Sequence, residues 1–140
     1  GRPEEGLALF DRALALQPRN ALADLNAGIA YLKLGRLEQA RQRLETALSI
    51  SRRSPRALNA LGVVYSRLGQ PAKAVEAWAQ CVRVDPTQYD ALYNLGRVAG
   101  ELGDWPRARQ ALTQFVDTAP PTRYGKDIQE VRAALASIPK

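Results

Sequence analysis

The sequence predicts an all-α protein built as a solenoid of stacked helix pairs. The first indication is a step of 34 residues between glycines, which occurs in two parallel series: Gly28, Gly62 and Gly96, and Gly35, Gly69 and Gly103. The second indication is that apolar residues recur at helical spacing between these glycines. A period of this length is typical of a helix–turn–helix unit that is copied along the chain. Stacked units present an extended surface, so we expect binding rather than catalysis.

The composition is that of a folded globular domain with few groups suited to catalysis. Apolar residues make up 46% of the 140-residue chain, and no apolar run is long enough for a membrane span. Histidine is absent and Cys81 is the only cysteine, which removes the commonest general base and leaves no set of zinc ligands. We interpret Cys81 as a small buried side chain at a helix contact. The sequence therefore predicts no enzyme, no catalytic residue, no metal site and no cofactor.

The net charge of +6 is concentrated in one region. Residues 33–56 contain seven basic and two acidic side chains, which gives this region a local charge of +5. Such a region attracts acidic partners or nucleic acid. A solvated, Arg-rich helical surface is the simpler explanation, and we do not expect nucleic-acid binding.

The chain is expected to be a single domain that begins with half a unit. Residues 1–20 are predicted to form one helix, the second helix of a unit whose first helix is missing, because Phe10 falls one period before Leu44. Without that first helix, we expect the side chains of Leu7, Phe10 and Leu14 to be uncovered. An uncovered apolar side of this kind predicts a homodimer through the half unit.

Three whole units are predicted, over residues 21–54, 55–88 and 89–122. Each unit holds two helices, A and B, and a glycine ends helix A. Asn20 and Ser54 are expected to cap the first two A helices. Trp78, on a helix B, and Trp105, at a helix start, are both expected to lie in the core.

Residues 123–140 are predicted to form a capping helix. Its apolar side chains recur at helical spacing, at Tyr124, Ile128, Val131, Leu135 and Ile138. The other side of the same helix is polar. One side is therefore expected to cover the last unit while the other faces water.

The second unit has the clearest sequence motif. There Leu58, Leu61, Gly62 and Tyr65 are followed by Ala74, Trp78 and Pro86. This spacing resembles the tetratricopeptide repeat, whose signature is W-x2-L-G-x2-Y followed by A-x3-F and P. The third unit departs from it with Ala99 in place of the tyrosine, and the first unit has Asp24 at the opening aromatic position. The resemblance implies a right-handed superhelical solenoid of antiparallel helix pairs that serves as a protein-interaction scaffold.

The resemblance also implies a concave groove, lined by the A helices, that binds a peptide or helix. The groove positions that it implies are Leu22, Leu25, Asn26, Ile29, Arg56, Asn59, Val63, Arg67, Tyr93, Asn94 and Arg97. Apolar members of this set are expected to anchor the ligand, amides to hold its backbone, and arginines to favour an acidic ligand. The apolar N-terminal end of this groove, at Leu22, Leu25 and Ile29, is equally well explained as a surface that an upstream helix covers.

Two other functions remain open at this point. The chain also fits a spacer or self-assembly arm of a larger bacterial protein, and it fits the C-terminal accessory part of an enzyme. Both hypotheses agree with a chain that opens in mid-unit, which we expect to be a fragment of a longer protein. The sequence leaves open the ligand and the compartment, cytoplasm or periplasm.

Overall fold

The computed structural model describes residues 2–16 and 20–139, and over these ranges it contains helices and no strand. The helices are α1 (Arg2–Leu16), α2 (Ala21–Lys33), α3 (Leu37–Ile50), α4 (Pro55–Arg67), α5 (Pro71–Val84), α6 (Tyr89–Glu101), α7 (Trp105–Thr118) and α8 (Pro121–Ser137). Each helix packs chiefly against its neighbours in sequence, and α2 also contacts α4. This is the arrangement of an all-α solenoid, as the 34-residue period predicts.

Helices α2 and α3 form the first helix pair, α4 and α5 the second, and α6 and α7 the third. The turn inside each pair depends on a glycine. Gly35, Gly69 and Gly103 have φ values of 75°, 74° and 78°, in the left-handed region that side chains with a Cβ atom disfavour. Beyond the first of these turns, the N–H of Arg36 donates to the carbonyl of Tyr31 at 2.9 Å, and equivalent bonds close the other two turns. This geometry ends the helix and reverses the chain at the same point of each pair.

A second set of glycines allows the paired helices to approach each other closely. A Cβ atom on Gly62 would lie 2.4 Å from Nε1 of Trp78, and one on Gly28 would lie 2.6 Å from Cγ of Leu44. Both distances are far below van der Waals contact, so any larger residue displaces the facing helix. The small residue is therefore required at this position by helix packing.

Side-chain caps fix the starts of α2 and α4, and Asp104 caps α7 in the same way. The Asn20 Oδ1 atom accepts a hydrogen bond from the N–H of Ala23 at 3.0 Å, and the Ser54 Oγ atom accepts one from the N–H of Ala57 at 3.2 Å. These bonds satisfy backbone donors that have no partner within the helix. Both predicted caps are confirmed.

The core consists of two apolar clusters that overlap along the solenoid. Trp78 is only 1% exposed, as predicted. The expectation of a buried Trp105 is wrong, because this side chain is 37% exposed at the start of α7. The first turn of a helix has no preceding turn to cover its side chains, so part of this ring faces water.

The amphipathic pattern of α8 predicted its buried side. Tyr124, Ile128 and Val131 are buried against the last helix pair, whereas Lys126 and Arg132 are exposed. The Tyr124 ring makes an edge-to-face contact with another ring of the core, Phe115, at 5.6 Å between centroids. The described C-terminal end of the solenoid is therefore closed by an apolar face backed by a polar one.

The core of the first helix pair contains a charge. Asp24 is 1% exposed, and its Oδ1 atom lies 3.4 Å from Nη1 of Arg43, whose Nη2 atom contacts Asp11 at 3.2 Å. The other carboxylate oxygen, Oδ2, has no hydrogen-bond partner among the described residues. Burial raises the pKa of Asp24 above its ordinary value, and the guanidinium of Arg43 partly opposes that shift.

Helix α1 is better covered than the sequence suggests. Leu7 is only 6% exposed because α1 packs against α2, so the expectation that Leu7 is uncovered is wrong. Phe10 is half-buried, and the side chain of Leu14 lies outside the described part of the structure. The exposed apolar side chains of α1 are instead Leu9 at 63% and Leu16 at 84%.

Candidate functional site

A cavity of about 400 Å³ lies near the N-terminal end of the described solenoid. Its wall is formed by α1, α2 and α4, with these residues lining it: Arg2, Gly6, Phe10, Asn26, Ile29, Ala30, Lys33 and Arg56. Asn26, Ile29 and Lys33 share one face of α2 because they are three and four positions apart. The cavity thus brings together three of the predicted groove residues, Asn26, Ile29 and Arg56.

Three lining residues of this cavity, Arg2, Gly6 and Phe10, come from α1 and are absent from the predicted groove set. Residues 1–20 are predicted to be a helix B, and the family pattern assigns groove positions to A helices alone. The structure places these three residues in the wall because α1 packs directly beside α2. The signal that would have found them is adjacency along the chain, since consecutive helices are usually neighbours in space.

The electrostatic character of this cavity is uniformly positive. Arg2, Lys33 and Arg56 are exposed, and no carboxylate lines the cavity. Over residues 2–16 and 20–139, none of these three cations has a carboxylate within salt-bridge distance. Their charges therefore act together on any anion that approaches the apolar floor formed by Phe10 and Ile29.

In the middle of the predicted groove, some side chains also contact the core. Asn59 Oδ1 accepts a hydrogen bond at 3.1 Å from Nε1 of Trp78, whose indole is almost completely buried. A buried indole N–H needs an acceptor, so one lone pair of Asn59 Oδ1 is used within the fold, while its NH₂ group has no partner among the described residues. Val63 is half-buried against the core and Arg67 is exposed in the last turn of α4.

The C-terminal end of the groove is aromatic and internally paired. The half-buried Tyr93 ring packs on Phe115 with their centroids 5.6 Å apart, and Arg97 Nη1 donates to Oε1 of Glu101 at 3.0 Å. Asp90 accepts a hydrogen bond from the Tyr124 hydroxyl at 3.0 Å. Asn94 is half-buried. At this end Arg97 and Asp90 already have intramolecular partners, in contrast to the cations of the N-terminal cavity.

Two predicted groove residues lie elsewhere. Leu22 and Leu25 line a separate cavity of about 290 Å³ beside Ala47, Ser51 and Ser54, where α2 begins and α3 ends. Leu25 is 7% exposed and belongs to the core cluster shared by α2, α3 and α4. The expectation that Leu25 points into the groove is therefore corrected: it packs against the next helix pair. Leu22 is 61% exposed.

Among the described residues, few side chains have the properties that catalysis or metal binding requires. Cys81 is fully buried, as expected, and its Sγ atom contacts the carbonyl oxygen of Pro55 at 3.3 Å. Burial raises the pKa of the Cys81 thiol to about 11, so the nucleophilic thiolate is scarce at neutral pH. Over residues 2–16 and 20–139, no group of three or more acidic, histidine or cysteine side chains is arranged to hold a metal ion.

None of the described helices has both the length and the apolar character needed to cross a lipid bilayer.

Sequence comparison matches the chain to known repeats. Two family models, each described as tetratricopeptide repeat, match residues 1–64 and 59–122. No curated protein sequence matches the chain.

Solved structures share the fold of this chain. A crystal structure of MamA is 20% identical with a TM-score of 0.77, and the match covers 92% of this chain and 81% of that one. YrrB, described as a TPR protein with an unusual peptide-binding site, is 22% identical with a TM-score of 0.79, covering 96% and 74%. A MamA double mutant is 26% identical with a TM-score of 0.77, covering 84% and 66%. The chain is therefore similar in fold to solenoids of this kind.

Proposed function

The chain belongs to the tetratricopeptide repeat family of protein-interaction modules, and we propose that its concave groove binds an acidic peptide or helix. The observation that carries this proposal is the N-terminal cavity, where Arg2, Lys33 and Arg56 surround an apolar floor of Phe10 and Ile29. An acidic segment with one apolar side chain matches both features of this cavity.

Each part of the cavity has a role in the proposed complex. The apolar side chain of the ligand is buried on Phe10 and Ile29, which contributes about 25 cal/mol for each Å² removed from water. Carboxylates beside it meet Lys33 and Arg56, which lack acidic partners among the described residues. The amide of Asn26 both donates and accepts, so it suits a peptide backbone.

The rest of the groove extends the contact. The NH₂ group of Asn59, the exposed Arg67 and the amide of Asn94 follow the cavity along α4 and α6. The peptide-binding site named for YrrB supports a peptide ligand for a solenoid of this shape. We expect the N-terminal cavity to dominate affinity, because three cations without ion pairs among the described residues lie beside its apolar floor.

The proposal is tested by fluorescence anisotropy with a short fluorescein-labelled peptide of Glu and Leu residues. The variant Lys33→Glu/Arg56→Glu reverses two of the cavity charges, and we expect it to bind at least about tenfold more weakly, which is a loss of about 1.4 kcal/mol. The matched control is Lys126→Glu/Arg132→Glu, which makes the same charge change on the polar side of α8. Binding to the wild type should also weaken as salt is added.

Three results would contradict this function. The first is wild-type protein that does not bind the Glu/Leu peptide, or that prefers a Lys/Leu peptide of equal length. The second is equal loss of affinity in both double variants, which would indicate a general charge effect. The third is unchanged affinity in the cavity variant.

Self-association through α1 is a second candidate function. It is favoured by the exposure of Leu9 at 63% and Leu16 at 84%, two side chains that are seven positions apart on one face of the helix. We expect light scattering at two protein concentrations to give a mass that rises with concentration, and Leu9→Glu/Leu16→Glu to abolish that rise. A constant monomer mass in the wild type would exclude this candidate.

A further inference from the structure

A second cavity lies on the side of the solenoid opposite the groove. This cavity of about 390 Å³, the α5–α7 slot, has Leu92, Leu95 and Ala111 among its lining residues and Arg83 and Gln114 at its rim. Leu92 and Leu95 occupy the opposite face of α6 from the predicted groove residues of that helix. Ligands in the groove and in this slot would therefore not compete for space.

The preceding helix pair has an equivalent slot. This cavity of about 480 Å³, the α3–α5 slot, is lined by Leu58, Leu61 and Ala77, each 34 residues before its counterpart in the α5–α7 slot. Lys73 and Gln80 likewise precede Arg107 and Gln114 by one period. The two slots therefore recur with the 34-residue period, and each lies where the B helix has an alanine, at Ala77 and Ala111.

The first helix pair shows how such a slot is closed. Its residues at the equivalent positions are Asp24, in place of Leu58 and Leu92, and Arg43, in place of Ala77 and Ala111. The Arg43 side chain reaches across to the buried carboxylate of Asp24, with Nη1 and Oδ1 at 3.4 Å. A long side chain therefore occupies the place that alanine leaves open in the other two pairs.

The two open slots differ in charge. The α3–α5 slot is lined by Lys73 and Glu76, whose charges cancel, whereas the α5–α7 slot is lined by Arg83 and Arg107 with no carboxylate. Gln110 of the second slot stands one period after Glu76. Arg107 is paired with Glu76 at 2.8 Å, but Arg83 has no ion pair within the described ranges. The cation available to a ligand of the α5–α7 slot is therefore Arg83.

We propose that the α5–α7 slot is a second binding site, which takes an apolar side chain together with an adjacent carboxylate of a partner protein. The apolar side chain enters between α5 and α7 and packs on the half-buried Ala79 and Val82. Leu92 and Ala111 form the core beneath them, and the carboxylate pairs with Arg83. The amide of Gln114 at the rim binds the partner's backbone. This site is independent of the proposed groove function, and it lets the solenoid hold two partner segments on opposite faces.

The test is a titration of ¹⁵N-labelled protein with N-acetyl-Leu-Glu-amide, followed by NMR. We expect saturable shifts of the backbone amides of Ala111 and Gln114, and about threefold weaker binding of N-acetyl-Leu-Lys-amide, because an exposed ion pair is a modest interaction. Shifts that are confined to groove residues, or that do not saturate, would overturn the proposal.

Two variants separate the slot from the groove. Arg83→Ser/Gln110→Glu gives the α5–α7 slot the residues found one period earlier, Ser49 and Glu76, and it should abolish the preference for the Leu-Glu probe. Both positions are exposed, so folding is not at risk. The groove variant Lys33→Glu/Arg56→Glu should leave the slot shifts unchanged. A preference that survives the first variant or disappears in the second contradicts the assignment.

A third variant uses the protein's own way of closing a slot. Leu92→Asp/Ala111→Arg transplants the Asp24–Arg43 pair into the α5–α7 slot. If its circular dichroism spectrum matches the wild type, the Ala111 and Gln114 shifts should be lost. Retention of those shifts in the folded variant would show that the probe does not enter the slot.

Discussion

The first and second helix pairs solve the same packing problem with different chemistry. At one pair of equivalent positions, the first has Asp24 and Arg43 joined by an ion pair, and the second has Leu58 and Ala77, two buried apolar residues that line a cavity. Their helices nevertheless have the same lengths, 13 and 14 residues, and the same glycine turn. The glycines and alanines at the close contacts set the backbone, and the residues around them are free to vary.

The same two pairs also differ in the residue that faces the close-contact glycine. Leu44 lies over Gly28 in the first pair, and Trp78 lies over Gly62 in the second. Trp78 brings a buried N–H that Asn59 accepts, whereas Leu44 has no donor and the residue one period before Asn59 is the apolar Leu25. The core residue and the residue that it contacts therefore differ together between the two pairs.

The largest expected effect comes from removing the indole that distinguishes the second pair. Trp78→Ala should lower the free energy of unfolding by about 3–5 kcal/mol, because it removes the largest fully buried side chain and leaves a cavity. Urea denaturation measures this loss. Trp78→Leu is the matched control, since it gives the second pair the leucine of the first and should be less destabilising. A loss below about 1 kcal/mol for the alanine variant would contradict the packing account.

The next effect comes from breaking the ion pair of the first helix pair. Arg43→Met removes the partner of the buried Asp24 and should lower the free energy of unfolding by about 2–3 kcal/mol, since an unpaired buried carboxylate remains. Arg36→Met is the control, because Arg36 pairs with Glu4 on the surface and such pairs contribute less than about 1 kcal/mol. Equal losses in the two variants would refute a special role for the buried pair.

A smaller effect of opposite sign is expected when the first pair is given the residue of the second. Asp24→Leu replaces a buried carboxylate with an unsatisfied oxygen by an apolar side chain, and should stabilise the protein by about 1 kcal/mol near neutral pH. Arg43 keeps its contact with Asp11 in this variant. Thermal and urea unfolding measure the change. Marked destabilisation would mean that the Asp24–Arg43 contact is net stabilising.

The smallest effect is the pH dependence of that difference. Burial raises the folded-state pKa of Asp24 above its ordinary value of 3.8, so the folded state favours the protonated acid. The stability contributed by Asp24 is then complete below the ordinary pKa and is lost as pH rises through the raised folded-state pKa. The advantage of Asp24→Leu should therefore shrink as the solution is acidified from neutral pH. An advantage that stays constant would mean that folding does not shift the pKa of Asp24, and one that grows would mean that folding lowers it.

Local signals predicted much of the fold. The turn glycines and the caps at Asn20 and Ser54 act within a few residues of themselves, so spacing alone identifies them. The buried side of α8 was readable for the same reason, since an amphipathic stripe records which side of a helix packs.

The site was less predictable because its details depend on residues that are distant in sequence. Asn59 meets an indole from another helix, Leu25 is covered by the next helix pair, and Arg2 joins the groove from α1. The 34-residue period predicts the same role for equivalent positions in every unit. These exceptions arise where the neighbouring side chains differ from one unit to the next. Trp105 departs for a simpler reason, since the first turn of a helix leaves part of its ring in water.

The hydrogen bond between Trp78 and Asn59 offers a way to measure ligand binding in the proposed groove by tryptophan fluorescence. The indole is buried in the core, but its acceptor, the Asn59 side chain, is half-buried at a position that we propose for the groove. A partner that reorients this amide alters the environment of the indole N–H and shifts its emission. Replacing the exposed Trp105 by phenylalanine would leave Trp78 as the sole tryptophan of the chain, a built-in fluorophore that reports occupancy without a label.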